Sequence, residues 1–152
     1  MSDIVTLRRI LAESRTIAVV GLSADWFRPS YFAAKYMQEH GYRLVPVNPR
    51  YPEILGDPCY PTLSAIPFKV DIVDVFRKTA DVLPIAQEAV AIGAKCLWQQ
   101  IGVINEQAQA LALRNGPSPA WRAHLPAMAL VGLVNSAIPI VAYGFALQWI
   151  TG

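Results

Sequence analysis

A short apolar run that ends in a glycine constrains the fold of this chain more than any other feature. Residues 17–20 are apolar, and Gly21 follows them directly. A polar loop comes next, and Arg28-Pro29-Ser30 has the pattern of a helix start with proline in the first turn. A strand, a turn and a helix N-terminus in this order bind anions through backbone N–H groups and the helix dipole. The pattern therefore predicts a nucleotide-binding domain.

Apolar segments alternate with helical patterns along most of the chain. The predicted strands are 16–20, 43–47, 70–76 and 95–99, and the predicted helices are 3–14, 29–40, 81–92 and 105–114. Short helical turns are predicted near 52–55 and near Leu63. Strands separated by helices imply right-handed crossovers and a parallel sheet covered on both faces. We therefore predict an α/β fold, a Rossmann-like doubly wound parallel sheet in a single domain.

Composition and charge predict the kind of partner, the cellular location and the state of the cysteines. The 152 residues have a net charge of +2 and contain no Lys/Arg run, so we expect no nucleic-acid partner. The N-terminus lacks the apolar core of a signal peptide, which favours a cytoplasmic location. Cys59 and Cys96 lack CxxC spacing, and we expect both to be reduced thiols in a cytosolic core.

The C-terminal segment breaks the alternating pattern. All charged residues lie at or before Arg122, and the apolar stretch 127–150 is long enough to span a bilayer at about 1.5 Å per residue. Pro139 and several small or polar residues interrupt it. Three interpretations stay open: buried elements that close the sheet, a membrane anchor, or a non-native tail. The predicted organisation is therefore a domain over 1–116 followed by an apolar segment over 117–152.

The candidate binding residues follow the predicted strands, because ligands of open parallel sheets bind at the carboxyl ends of the strands. They are Gly21, Ser23, Arg28 and Ser30 after the first strand, Asn48, Pro49 and Arg50 after the second, Phe76 and Arg77 after the third, and Gln99 and Gly102 at the fourth. Together with Lys78, the three arginines should converge on one edge. Guanidinium groups match phosphate oxygens bidentately, so this edge suits a ligand with several phosphates.

The second strand distinguishes between nucleotide classes. The loop after Gly21 lacks the G-x-G-x-x-G fingerprint, and no P-loop motif occurs in the chain. An NAD site requires Asp or Glu after the second strand to bind the ribose hydroxyls, whereas this chain has Asn48-Pro49-Arg50. A cation in place of a carboxylate predicts a phosphorylated ribose. The candidates are then NADP, with its 2′-phosphate, and coenzyme A, with its 3′-phosphate.

The chain resembles the small stand-alone CoA-binding proteins, which are similar to the CoA-binding domain of the succinyl-CoA ligase alpha subunit. The resemblance covers residues 10–115 and is strongest at Pro46-Val-Asn-Pro49 and Phe76-Arg77. The other matching segments are 16–23, 28–30, 41–42, 53–56, 70–75 and 98–102. After Gly116 the family continues with an apolar strand and an Asp-Arg-Cys motif, whereas this chain has 117–124 without either.

The resemblance implies a Rossmann-like domain that holds CoA, with the first loop on the diphosphate. It also implies that 48–50 and 76–77 lie near the adenosine 3′-phosphate. We therefore expect a module that binds CoA or an acyl-CoA as its partner and has no catalytic residues. The alternative is an NADP-dependent oxidoreductase or another protein that binds a phosphorylated nucleotide.

Three polar positions near the predicted sheet edge need separate interpretation. Asp74 lies inside an apolar strand, where an unpaired carboxylate is costly, so we expect it to accept hydrogen bonds from neighbouring loops. A role as a general base is the alternative. Strand alternation should turn either Gln99 or Gln100 toward the cleft.

Overall fold

The computed structural model describes residues 9–100, 103 and 105–115. Residues 9–13 are helical, in agreement with the end of the predicted first helix. The beginning of that helix, the candidate residue Gly102 and the apolar segment 117–152 lie outside the described residues.

The described elements follow the predicted alternation. They are β1 (Thr16–Val20), α1 (Pro29–Glu39), β2 (Arg43–Val47), β3 (Glu53–Ile54), β4 (Asp57–Pro58), β5 (Ile72–Val75), α2 (Val82–Ala91), β6 (Cys96–Gln99) and α3 (Glu106–Asn115). Short 3₁₀ helices span Leu63–Ala65 and Thr79–Asp81. The predicted strands of the main sheet and the helices that connect them match these bounds to within two residues at each end.

Four parallel strands form the main sheet in the order β2-β1-β5-β6. Every residue of β1, β5 and β6 is buried, as expected for a parallel sheet with helices on both faces. The chain runs from β1 to β2 in one direction and from β5 to β6 in the other, so the strand order reverses between β1 and β5. Ligands of such sheets bind in the crevice at this reversal. The predicted α/β doubly wound fold is confirmed.

One local prediction is wrong. Residues 52–55 form no helical turn, because β3 and β4 pair as a short antiparallel hairpin with Glu53 opposite Pro58. Both residues of its connection, Leu55 and Gly56, have a positive φ, at 55° and 81°. Two successive positive φ values are typical of the tight turn that matches the twist of a hairpin. The turn closes the hairpin and leaves Ile54 buried.

Asp71 joins the strands at the end of the sheet opposite the predicted site. Its Oδ2 accepts hydrogen bonds from the backbone N–H groups of Arg15, at 2.8 Å, and Thr16, at 3.1 Å. Its Oδ1 lies 2.9 Å from Lys95 Nζ. Burial acts to raise the pKa of Asp71, but these hydrogen bonds outweigh it and hold the pKa below its ordinary value. The ionised carboxylate therefore stabilises the starts of β1, β5 and β6.

Within the described residues, no helix combines the length and the apolar character that crossing a membrane requires.

Candidate functional site

The turn after β1 depends on the absence of a side chain at Gly21. Its φ is +84°, and its N–H donates to Val47 O at 2.9 Å. A Cβ at this position would lie 2.5 Å from Phe76 O and 2.8 Å from Arg77 Cδ. The backbone after β5 and the stem of Arg77 therefore occupy the space that a side chain would fill. The first and third loops of the predicted site are in direct contact here.

No side chain caps the start of α1. The N-cap residue is Arg28, which makes no capping hydrogen bond, and the first turn contains no acidic residue. Pro29 occupies the first turn, where its missing N–H has little cost. Ser30 is buried, and its Oγ accepts a hydrogen bond from the N–H of Ser23 at 3.2 Å. This bond ties the polar loop to a helix terminus whose dipole favours an anion.

Asn48 braces the loop after β2. Its Nδ2 donates to Leu22 O at 2.9 Å, and its Oδ1 accepts from the N–H of Arg50 at 3.0 Å. Its own N–H donates to Tyr60 O at 2.9 Å. The amide side chain thus joins the first and second loops, and its hydrogen bond to the backbone of Arg50 helps to set the path of that loop. The structure gives Asn48 a positioning role that the sequence did not indicate.

Two adjoining cavities lie at the carboxyl edge of the sheet. The first has a volume of about 860 Å³ and the second of about 930 Å³. Both are lined by Pro29, Arg50, Phe76, Arg77 and Asp81. Of the predicted site residues, the first cavity brings together Gly21, Ser23, Arg28, Ser30, Asn48, Pro49, Arg50, Phe76 and Arg77. The three arginines therefore share one crevice, as the predicted parallel sheet implied.

Sequence reasoning missed the carboxylates of this crevice. Asp25 lies 3.8 Å from Arg28 Nε, and Asp81 lies 3.1 Å from Arg77 Nη2. Glu88 also lines the first cavity, where its Oε2 accepts hydrogen bonds from Ser64. The position of Asp25 between Gly21 and Pro29 is a signal that could have found it. Glu88 lies in α2, and only the packing of that helix brings it to the edge.

The first cavity is lined by three guanidinium groups and three carboxylates, so its formal charges balance, and the surplus of cations lies on the lining of the second cavity. Arg50 and Lys78 form no ion pair with a carboxylate among the described residues. Lys78 lines the second cavity together with Arg50 and Arg77, and Asp81 is the carboxylate on that lining. An anion bound where the two cavities join would therefore meet a surplus of cations.

The two glutamines at the end of β6 have different environments. Gln99 does not line either cavity, because its Oε1 accepts a hydrogen bond from the N–H of Asn105 at 2.9 Å. Gln100 lines the second cavity, and its Nε2 donates to Asp74 Oδ1 at 2.6 Å. The expectation that Asp74 accepts a hydrogen bond from a neighbouring loop agrees with this contact. The structure thus turns Gln100, rather than the predicted Gln99, toward the cleft.

Neither thiol is disposed to act as a nucleophile. Cys96 is buried and Cys59 is half-buried, and neither forms a disulfide. Burial, together with the charge of Asp74, raises the pKa of Cys96 to about 12. Burial also raises the pKa of Cys59, although its contact with the backbone of Asn48 acts in the other direction. Since the thiolate is the nucleophile, both shifts lower the reactivity of these groups. No cluster of three or more metal-ligating side chains occurs among the described residues.

The chain is similar to proteins that themselves have no assigned role. It is 38% identical over 110 residues to the uncharacterized protein YneT of Bacillus subtilis, a match covering 72% of this chain and 82% of the relative. A hypothetical protein from Pyrococcus horikoshii has the same fold, with a TM-score of 0.73 and 38% identity. That match covers 74% of this chain and 80% of the other.

A third relative is much larger than this chain. It is the ADP-forming acetate–CoA ligase I of Archaeoglobus fulgidus, which is 36% identical over 58 residues. The match covers 38% of this chain but 8% of the ligase. None of these three descriptions supports the alternative of an NADP-dependent oxidoreductase. The family model described as "CoA binding domain" matches residues 15–119, which is most of the chain and all of the crevice described above. The chain therefore belongs to the CoA binding domain family.

Proposed function

We propose that this chain binds coenzyme A or an acyl-CoA at the carboxyl edge of its sheet and has no catalytic activity of its own. The observation that carries the proposal is the shared crevice. Arg28, Arg50 and Arg77 line it together with the Gly21 turn and the start of α1. Three guanidinium groups and a helix N-terminus suit a ligand with three phosphates.

The arrangement supports a particular placement of the phosphates. The start of α1 has the positive end of its helix dipole beside the loop 21–23, and this terminus suits the diphosphate. Arg50 follows β2, where a dinucleotide site has a ribose-binding carboxylate, and it has no carboxylate partner among the described residues. A 3′-phosphate on the ribose would supply the anion that Arg50 lacks.

The absence of catalysis is proposed on chemical grounds. The raised pKa values of Cys59 and Cys96 disfavour the thiolate that acyl transfer would need. Neither thiol lines the crevice, whose polar side chains are guanidinium groups, amides, hydroxyls and carboxylates, and of these carboxylates Asp25 and Asp81 are ion-paired. Such groups bind and orient a nucleotide. Incubation with acetyl-CoA should therefore leave the thioester intact, and release of free CoA by the full chain would contradict this part of the proposal.

Titration calorimetry of the full chain with CoA, NADPH and NAD tests the ligand class. We expect heat of binding with CoA and none with NAD, because no carboxylate follows β2 to bind an unphosphorylated ribose. Binding of CoA that is lost at high salt would fit a contact dominated by phosphates. Binding of NADPH without binding of CoA would contradict the proposal.

A further inference from the structure

Gln100 joins the interior of the sheet to the second cavity. It comes directly after β6 and is only 7% exposed, and its Nε2 donates to Asp74 Oδ1 at 2.6 Å. Asp74 lies in β5, is fully buried and pairs in register with Trp98. A buried amide that contacts a buried carboxyl on one side and lines a cavity on the other has a fixed orientation.

The fixed orientation determines which end of the amide meets the cavity. Because Nε2 is bound to Asp74, the carbonyl oxygen Oε1 is the end of the amide that remains to face outward. Oε1 accepts no hydrogen bond from a described residue, and unlike Asp74 Oδ2 it is not sealed from solvent. The neighbouring backbone is also held, since Val103 N–H donates to Gln100 O at 2.9 Å. Gln100 therefore presents a preorganised acceptor to the second cavity.

The chemistry of the second cavity favours a ligand group with an N–H donor at this point. A phosphate has only oxygens to offer to Oε1 and is better placed against Arg50, Arg77 and Lys78, which line the same cavity. Val103 lies beside Gln100 and is apolar. An arm that combines methylene groups with amide N–H groups matches both neighbours. The arm of CoA, which contains two amides, has this chemistry.

We propose that Gln100, oriented by Asp74, is a specificity-determining residue that accepts a hydrogen bond from an amide N–H of the CoA arm. This assignment rests on the proposed function. Asp74 acts through Gln100 and is a positioning residue. Burial raises the pKa of Asp74 to about 7, and the hydrogen bond from Gln100 acts in the other direction, as expected of an amide N–H that donates to the carboxylate.

The test compares CoA with adenosine 3′-phosphate 5′-diphosphate. This nucleotide has the three phosphates of CoA but lacks the arm, so its terminal phosphate is free where that of CoA is esterified. Gln100→Met keeps the length of the side chain and removes the amide. We expect it to weaken the affinity of the full chain for CoA about fivefold, as the loss of one hydrogen bond implies, and to leave the armless nucleotide within twofold. Gln107→Met, on the exposed side of α3, is the matched control and should change neither affinity.

Two variants at Asp74 test the positioning role. Asp74→Asn keeps an oxygen that can accept from Gln100, and we expect it to retain CoA affinity within twofold. Asp74→Thr suits a strand but has a shorter polar group, so it should reproduce the selective loss of Gln100→Met. A combination of Asp74→Thr with Gln100→Met should lose no more CoA affinity than Gln100→Met. An additional loss in the combination would overturn the positioning role.

A second variant at position 100 keeps the test independent of Asp74. Gln100→Asn retains an amide that is one methylene too short to contact Asp74 and the cavity together, and we expect the same selective loss for CoA. Unchanged CoA affinity in both Gln100 variants, or equal losses for both nucleotides, would overturn the assignment and leave the proposed function intact. Failure of the unaltered chain to bind either nucleotide would overturn the proposed function and this assignment with it.

Discussion

Gly21 has a positive φ and no space for a Cβ, and the two properties can be separated by experiment. Gly21→Ala should lower the free energy of unfolding by about 3 kcal/mol, through backbone strain and overlap with Phe76 O. Gly41→Ala is the matched control, because Gly41 has a φ of +86° and nothing within 4 Å of its Cβ position. The control should lose about 1 kcal/mol. Urea unfolding measures both, and equal losses would contradict the proposed overlap.

In our proposal, Arg50 binds the 3′-phosphate of the ligand. Arg50→Ala should weaken CoA by about 1.5–3 kcal/mol, the value of a hydrogen bond to a charged group, and should affect 3′-dephospho-CoA much less. Calorimetric titration of both ligands measures the difference. Arg114→Ala, in the exposed last turn of α3, removes the same charge elsewhere and should leave both affinities unchanged. Equal losses for the two ligands in Arg50→Ala would remove Arg50 from this role.

Single residues also mark the limit of what the sequence predicts. The convergence of Arg28, Arg50 and Arg77 followed from the predicted parallel sheet, because the carboxyl ends of parallel strands meet at one edge. The choice between Gln99 and Gln100 did not, since it depends on which side chain finds a partner beyond the strand. Gln99 binds the N–H of Asn105, and Gln100 binds Asp74. These contacts arise from tertiary packing, and the periodicity of the sequence does not predict them.

Among the elements, the start of α1 connects the sheet to the site. Ser30→Ala removes the acceptor of the Ser23 N–H, and the polar loop should then lose its attachment to the helix. We expect the affinities for CoA and for 3′-dephospho-CoA to fall alike, by about threefold to tenfold, because our proposal places this loop against the diphosphate that both ligands share. Ser14→Ala replaces another buried serine, just before the start of β1, and should have no effect on binding. A loss confined to CoA would contradict this role of Ser30.

The elements with a clear period were predicted correctly, whereas the hairpin, which has no period, was not. The four strands of the main sheet and the helices between them have either continuous apolar runs or helical spacing, and tertiary structure did not override these patterns. The hairpin of β3 and β4 has two residues in each strand, which is too short to show alternation. Its turn also uses Leu55 where Asn or Asp is usual, so the turn signal is weak.

For the molecule as a whole, stability should vary with pH in a way that identifies Asp74. Burial raises its pKa from an ordinary 3.8 to about 7, so the folded chain holds a proton that the unfolded chain releases between these values. The free energy of unfolding should therefore fall as the pH rises through this window, by at most about 1.4 kcal/mol per pH unit. Asp74→Asn removes this contribution, so its stability relative to the unaltered chain should improve from pH 4.5 to pH 7, as measured by urea unfolding at each pH.

Asp71→Asn is the control, because the pKa of Asp71 is shifted in the direction opposite to that of Asp74. Its hydrogen bonds hold the pKa of Asp71 below the ordinary value, so its contribution to stability is present above that value and is lost as the pH falls through the lowered pKa. The difference between Asp71→Asn and the unaltered chain should thus be constant from pH 4.5 to pH 7. Parallel pH profiles for Asp74→Asn and the unaltered chain would contradict the shifted pKa of Asp74.

The close approach of the chain at Gly21 also limits how the sequence can change. The side-chain stem of Arg77 occupies the volume that a methyl group on Gly21 would need. The absence of a Cβ at position 21 therefore helps to determine where the charge of Arg77 lies, although the two residues are far apart in the sequence. A bulkier residue at position 21 would therefore displace the guanidinium group of Arg77, although Arg77 itself is unchanged. These two loops can therefore be exchanged between related sequences only as a pair.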